Sequence, residues 1–121
     1  MYVHTMDIES MRSIILQNKG SLPEYFRKYA ILSIIFLENN PEKIKLLIEH
    51  DCDFTTSDMY NCTPLYYAIL KNQKSVVNIL LEYGAEIKEN MKKIIEETDE
   101  EMKELLYFAN QNNNMKEPLD R

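Results

Sequence analysis

Residues 43–54 and 76–87 repeat one another at a spacing of 33. Apolar meets apolar at Ile44 and Val77, Leu46 and Ile79, Leu47 and Leu80, Ile48 and Leu81, and Phe54 and Ile87. Glu49 meets Glu82, Asp53 meets Glu86, and upstream Asn39 meets Asn72. A period of this length holds one supersecondary unit, too small to bury an apolar face by itself. Such a unit is stable only when stacked on a neighbour, so the chain is confined to a solenoid-like array.

Each copy contains two apolar stripes at helical spacing. In the second copy the first stripe is Leu65, Ala68 and Ile69, and the next is Val76, Val77, Leu80 and Leu81. Lys71, Asn72 and Gln73 between them suffice only for a tight turn, which sets the two helices antiparallel. Thr63 followed by Pro64 suits a helix start: the hydroxyl caps free amides, and proline is tolerated at the first helical position. Gly84 suits a helix end, where a left-handed residue is cheapest as glycine. The chain has two glycines in all, fewer than the turns of a small sheet protein would use.

The stretch 58–88 resembles one full ankyrin repeat. Its Thr63-Pro64-Leu65 helix start, its Val76-Val77 and Leu80-Leu81 second helix and its Gly84-Ala85-Glu86 exit are all in register. Asn61 and Asn72 stand where that family usually has glycine, and asparagine tolerates left-handed backbone. Tyr66 replaces the usual histidine and Ile69 an alanine. The preceding unit, 22–55, is degenerate: 23–38 and 42–50 are its two expected helices. Asp51-Cys52-Asp53 takes the place of Gly-Ala-Asp, and Ala30-Ile31-Leu32 that of the helix-start signature. Residues 7–20 resemble a lone second helix, with Asp7 as its cap and Gly20 near its end.

Beyond 88 the resemblance fades. Met91, Ile94 and Ile95 form one stripe, and Met102, Leu105, Leu106 and Ala109 another. Thr98 with Glu101 is a capping-box pattern and favours two helices over 90–110 that close the stack. The same positions also fit one uninterrupted helix. A polar outer face is what a terminal unit needs for solubility. Residues 111–121, rich in Asn, are expected to be a disordered tail to a single domain over 1–110. The expected fold class is therefore all-α: an ankyrin-repeat helical solenoid of about three to four helix-turn-helix units with a degenerate C-terminal cap.

Charge narrows the partners. Twenty acidic residues against fourteen basic ones leave a net charge of −6. Phosphate binding is driven by clustered lysine and arginine, so nucleic acid is not an expected partner. The longest uncharged apolar run, 29–37, is about half of what a bilayer requires, so no membrane span is expected. The first ten residues show neither a basic n-region nor an apolar h-region, so no secretory leader is expected. Cys52 and Cys62 make no disulfide framework, and the cytoplasm or nucleocytoplasm is the expected compartment. For a virus or intracellular parasite that becomes the host cytoplasm. Without a secretory route, Asn61-Cys62-Thr63 reads as a turn rather than a glycosylation site.

Catalytic chemistry finds no seat. His4 and His50 are the only histidines, and neither spacing suggests a triad or a zinc site. Glu96, Glu97, Asp99, Glu100, Glu101 and Glu104 could in principle hold a divalent ion. Acids at a helix start are equally what a solvated capping helix carries, and no partner helix supplies matching ligands. No cofactor, no metal and no enzymatic activity are expected. Cys52 is expected to be packed and Cys62 to sit in an exposed turn.

The resemblance implies a protein-binding module, such as an adaptor, an inhibitor or a host-directed effector. In that family the partner usually lies across a concave side made of loop tips and the exposed side of each first helix. Carried onto this chain, the binding residues are Met59, Tyr60, Cys62, Leu70 and Lys71, extended by Leu37 and Glu38 in the preceding unit. The rival readings are a truncated or decayed array with a purely structural role and, more remotely, a metal-dependent enzyme using the acidic C-terminal helix. The exposed ends of the stack leave room for self-association.

Overall fold

A computed structural model of the chain describes residues 7–18 and 22–119, with side chains through residue 109. His4 and Gly20 lie outside the described residues. Among the described residues seven α-helices follow one another: α1 Ile8–Gln17, α2 Glu24–Leu37, α3 Pro41–Glu49, α4 Pro64–Leu70, α5 Lys74–Glu82, α6 Lys92–Glu96 and α7 Glu100–Leu119. A short 3-10 turn, Glu89–Met91, leads into α6. No strand occurs among the described residues.

The helices form two rows. α2, α4 and α6 lie side by side in one, and α1, α3, α5 and α7 in the other. Three antiparallel pairs are thus preceded by a half unit, α1, which packs on α3 and fills the second-helix row. The core runs unbroken between the rows. Ile31, Ile34 and Ile35 of α2, Ile44 and Leu47 of α3, Leu65 and Ile69 of α4, and Val76, Val77 and Leu80 of α5 are all sealed from water. Met91, Ile94, Met102 and Leu106 extend it into the last pair.

The 33-residue period reappears as hydrogen bonds. Cys52 N–H donates to the Leu47 carbonyl and Ala85 N–H to that of Leu80, both at 3.0 Å. Asp51 N–H donates to Ile48 O, and Gly84 N–H to Leu81 O. This is the Schellman exit, which needs a left-handed residue just past the helix. Gly84 supplies it at φ +97 and Asp51 at φ +69. Asn72 ends α4 in the same way at φ +57, and Asn61 turns the loop before α4 at φ +62. Short polar side chains that hydrogen-bond locally make αL tolerable where glycine is missing.

Side chains cap the starts of α1, α3, α4 and α7, whereas α2, α5 and α6 start without one. Asp7 Oδ1 accepts from Ser10 N–H at 2.7 Å, Asn40 Oδ1 from Lys43 N–H at 3.2 Å, and Thr63 Oγ1 from Tyr66 N–H at 3.4 Å. The last helix is capped one residue later than expected. Asp99 Oδ1 accepts from Met102 N–H at 2.9 Å, whereas the Thr98 hydroxyl donates back to Ile95 O at 2.7 Å and finishes α6. Lys74 also pairs with the capping carboxylate. Its ammonium reaches Asp99 at 2.8 Å and Glu101 at 2.7 Å, pinning the start of α7 to the start of α5. The segment beyond Met91 is divided between α6 and α7. α7 itself runs on to Leu119, through most of the stretch expected to be a tail, and residues 120 and 121 lie outside the described residues. Once nucleated, a helix propagates at little cost per residue.

These carboxylates predict an acid limb. Ser10 backbone donation holds Asp7 below the ordinary carboxylate value, the Tyr67 hydroxyl does so for Asp58, and Lys74 for Asp99. A folded-state value below the unfolded one adds stability above the unfolded value, which is lost as pH falls through the folded value. The melting temperature should therefore be level from neutrality to about pH 5 and drop below about pH 4, near the unperturbed value for Asp. A series of thermal melts followed by circular dichroism reads this directly; no drop on acidification would refute the assignment.

Candidate protein-binding face

The loop before α4 owes its shape to Asp58. Its Oδ1 accepts from Tyr60 N–H at 2.9 Å and Cys62 N–H at 3.1 Å, while its Oδ2 takes the Tyr67 hydroxyl at 2.5 Å. That carboxylate pushes the Tyr67 phenol well above its usual range. The loop closes through Asp58 N–H to Cys62 O and Asn61 N–H to Asp58 O, both 2.9 Å. Asn90 Nδ2 ties it to the next unit, donating to Asn61 O at 2.6 Å. At the tip of this braced loop stand Met59 and Tyr60, 89% and 75% exposed.

Cys62 does not belong with them. It is 7% exposed, and its thiol donates to Tyr60 O at 3.4 Å inside the turn. An exposed turn residue was expected there. The chain bends back at Asn61 and aims the following side chain inward, towards Thr63 and the start of α4. Cys52 is packed, and burial pushes its thiol up to about 11.

The remaining positions lie at the other end of the first-helix row. Leu37 and Leu70 end α2 and α4, two helices that pack side by side, and both are more than half exposed. Lys71 reaches back, its ammonium 5.8 Å from the centre of the Phe36 ring. Glu38 is largely committed elsewhere: it holds Lys43 Nζ at 3.1 Å and accepts from Asn40 Nδ2 at 3.2 Å. Lys43 is buried at the register position that Val76 fills one unit later, so its charge needs that carboxylate. Met59 and Tyr60 are separated from Leu70 and Lys71 by the length of α4, about 10 Å at 1.5 Å per residue.

What joins the two groups had not been singled out from the sequence. Phe36 and Tyr67 meet across the α2–α4 contact at 4.7 Å between ring centres, and Tyr66 lies edge-on to Tyr67 at 5.6 Å. Along α2, Tyr25, Tyr29, Leu32 and Phe36 recur at i, i+4, i+7 and i+11. At 3.6 residues per turn they fall on one narrow stripe, opposite the buried Phe26, Ala30, Ile31, Ile34 and Ile35. Tyr25, Tyr29 and Phe36 are exposed and Leu32 is half-buried. That spacing was available as a signal, but an apolar stripe on a helix with two apolar faces does not declare which face is the core.

α2 also differs in length. It has 14 residues against 7 in α4, so its first turns occupy the register where the next unit has the Asp58 loop. The face therefore carries one loop tip, and aromatic side chains on a helix take the place of the other.

Among the described residues, no three His, Cys, Asp or Glu side chains converge as a metal site. No helix among them is long and apolar enough to cross a membrane. The Schellman exits 33 residues apart, the two-row stacking and the Thr63-Pro64-Leu65 start agree with the comparison to known families. The family model for Ankyrin repeats (3 copies) matches residues 7–91. No curated protein and no solved structure matches the chain. A match over most of the chain, on a stack of this architecture, places the protein in the ankyrin-repeat family.

Proposed function

We propose that the chain binds a partner protein through the exposed face of α2 and α4, together with the Met59–Tyr60 loop tip. Ankyrin repeats are generally protein–protein interaction modules. The observation that carries the location is that Tyr25, Tyr29, Phe36 and Leu37 of α2 and Leu70 of the adjoining α4 are all exposed. Exposed apolar side chains in one patch mark interaction surfaces, and tyrosines are favoured anchors because they bury area while losing little rotamer freedom. Binding here means surface complementarity without bond-making, as in an adaptor or a host-directed effector. A reducing compartment, cytoplasm or nucleus, suits two cysteines that stand as free thiols.

Affinity capture with the full chain, followed by titration of the captured protein, tests this reading. Tyr29→Ala, Tyr60→Ala and Leu70→Asp should each weaken binding, and a true anchor among them should cost about 2 kcal/mol or more, roughly thirtyfold. Their melting curves should stay close to that of the parent, because all three side chains point into water. A partner indifferent to all three substitutions would place the interface elsewhere. Failure to capture any partner would favour a purely structural array.

A further inference from the structure

The last helical pair carries a groove that shares no residue with the face of α2 and α4. It encloses about 400 Å³ where the segment after α5 meets α6 and α7. Ile87, Ile95 and Leu106 give it apolar surface, with Leu106 buried and the other two half-buried. Lys88, Lys92 and Lys103 stand along it against one carboxylate, Glu89. Lys92 pairs with Glu89 at 2.7 Å, and Lys103 with Glu100 at 3.6 Å. Lys88 makes no ion pair among the described residues. A positively charged lining is out of keeping with a chain of net charge −6.

We infer that this groove binds an acidic amphipathic segment of a second partner protein. The apolar stripe of such a segment seats on Ile87, Ile95 and Leu106, and its flanking carboxylates meet the three lysines. The lysine ammoniums reach outward on flexible stems and can turn from Glu89 and Glu100 to an incoming carboxylate at little cost, since exposed pairs are worth little. An anionic bilayer and a second copy of this chain are the alternative occupants, and the experiment below tells them apart.

The probe is a labelled synthetic helix with leucine at i, i+3, i+4 and i+7 and glutamate on both flanks. It is titrated against the full chain by fluorescence anisotropy, beside a counterpart carrying lysine for glutamate. The acidic helix should bind, lose affinity as salt is raised, and bind at least about tenfold more weakly to the Lys88→Glu, Lys92→Glu double variant. Both lysines are exposed, so that variant should melt like the parent, and Tyr29→Ala should leave this binding unchanged. Equal affinity for the lysine counterpart, or indifference to the double variant, would overturn the inference. So would flotation of the chain with phosphatidylserine vesicles, or a dimer in light scattering, that the same double variant abolishes. Failure of the α2–α4 face leaves this result untouched, and the reverse holds too.

Discussion

Leu80→Ala should lower the unfolding free energy by about 2–5 kcal/mol, the range for truncating a buried leucine and leaving a cavity. Leu80 is fully sealed, on a helix that packs against α3, α4 and α7. In a stacked array, stability is close to a sum of unit terms and nearest-neighbour interfaces. A cavity in α5 therefore weakens its contacts with both the preceding pair and the closing one. Total stabilities of about 5–15 kcal/mol leave a small domain little to lose, so the variant should unfold at markedly lower urea. The comparison is Leu70→Ala, ten residues earlier and exposed, which should stay within about 0.5 kcal/mol of the parent. Equal urea midpoints for the two variants would mean that the core is misplaced.

Gln73→Glu should be as damaging at neutral pH and should recover in acid. Gln73 is buried at the turn between α4 and α5, and its Nε2 donates to Ile35 O at 2.8 Å. Ile35 O belongs to the last turn of α2, whose carbonyls have no partner within their own helix. One side chain thus satisfies the end of the neighbouring unit. Glutamate of the same shape would bring a carboxylate against that carbonyl, away from water. An uncompensated buried charge costs about 3–5 kcal/mol. Burial would raise the folded-state value of the new carboxyl above its unfolded one, so the penalty applies above that range and fades as pH falls through the folded value. Once protonated, the acid can donate to Ile35 O as the amide does. The stability gap to the parent should therefore narrow between neutral pH and about pH 4–5, above the acid limb of the native aspartates. Gln73→Ala, which leaves Ile35 O unmatched without adding charge, should cost about 1–3 kcal/mol at every pH. A pH-independent gap for Gln73→Glu would show that this side chain reaches water.

Both variants probe features of unequal visibility in the chain. The burial of Leu80 follows from the stripe it shares with Val76 and Val77 and from its counterpart Leu47 one period earlier. The bond from Gln73 to Ile35 spans 38 positions and has no local mark. Gly84 announced its turn because left-handed backbone is a property of one residue and its immediate neighbours, Asn61 and Asn72 were placed by the family resemblance, and Asp51 was not read as left-handed. Asp7 and Thr63 announced their helices for the same reason, since a cap bonds an amide three positions on. Thr98 against Asp99 was a near miss of that kind: both can cap locally, and Asp99, which also pairs with a lysine 25 positions back, is the one that does.

The amino-acid order alone therefore determined the repeat, the helix pairs, their turns and the inward stripe of the better-matched unit. Each rests on interactions reaching no further than one helical turn. The tertiary structure decided which of the two apolar sides of α2 faces water and where aromatic rings from separate units meet. Those outcomes depend on how one helix pair sits on the next. That placement minimises exposed apolar area over the whole stack at once, and no short stretch of chain contains enough of the surface to specify it.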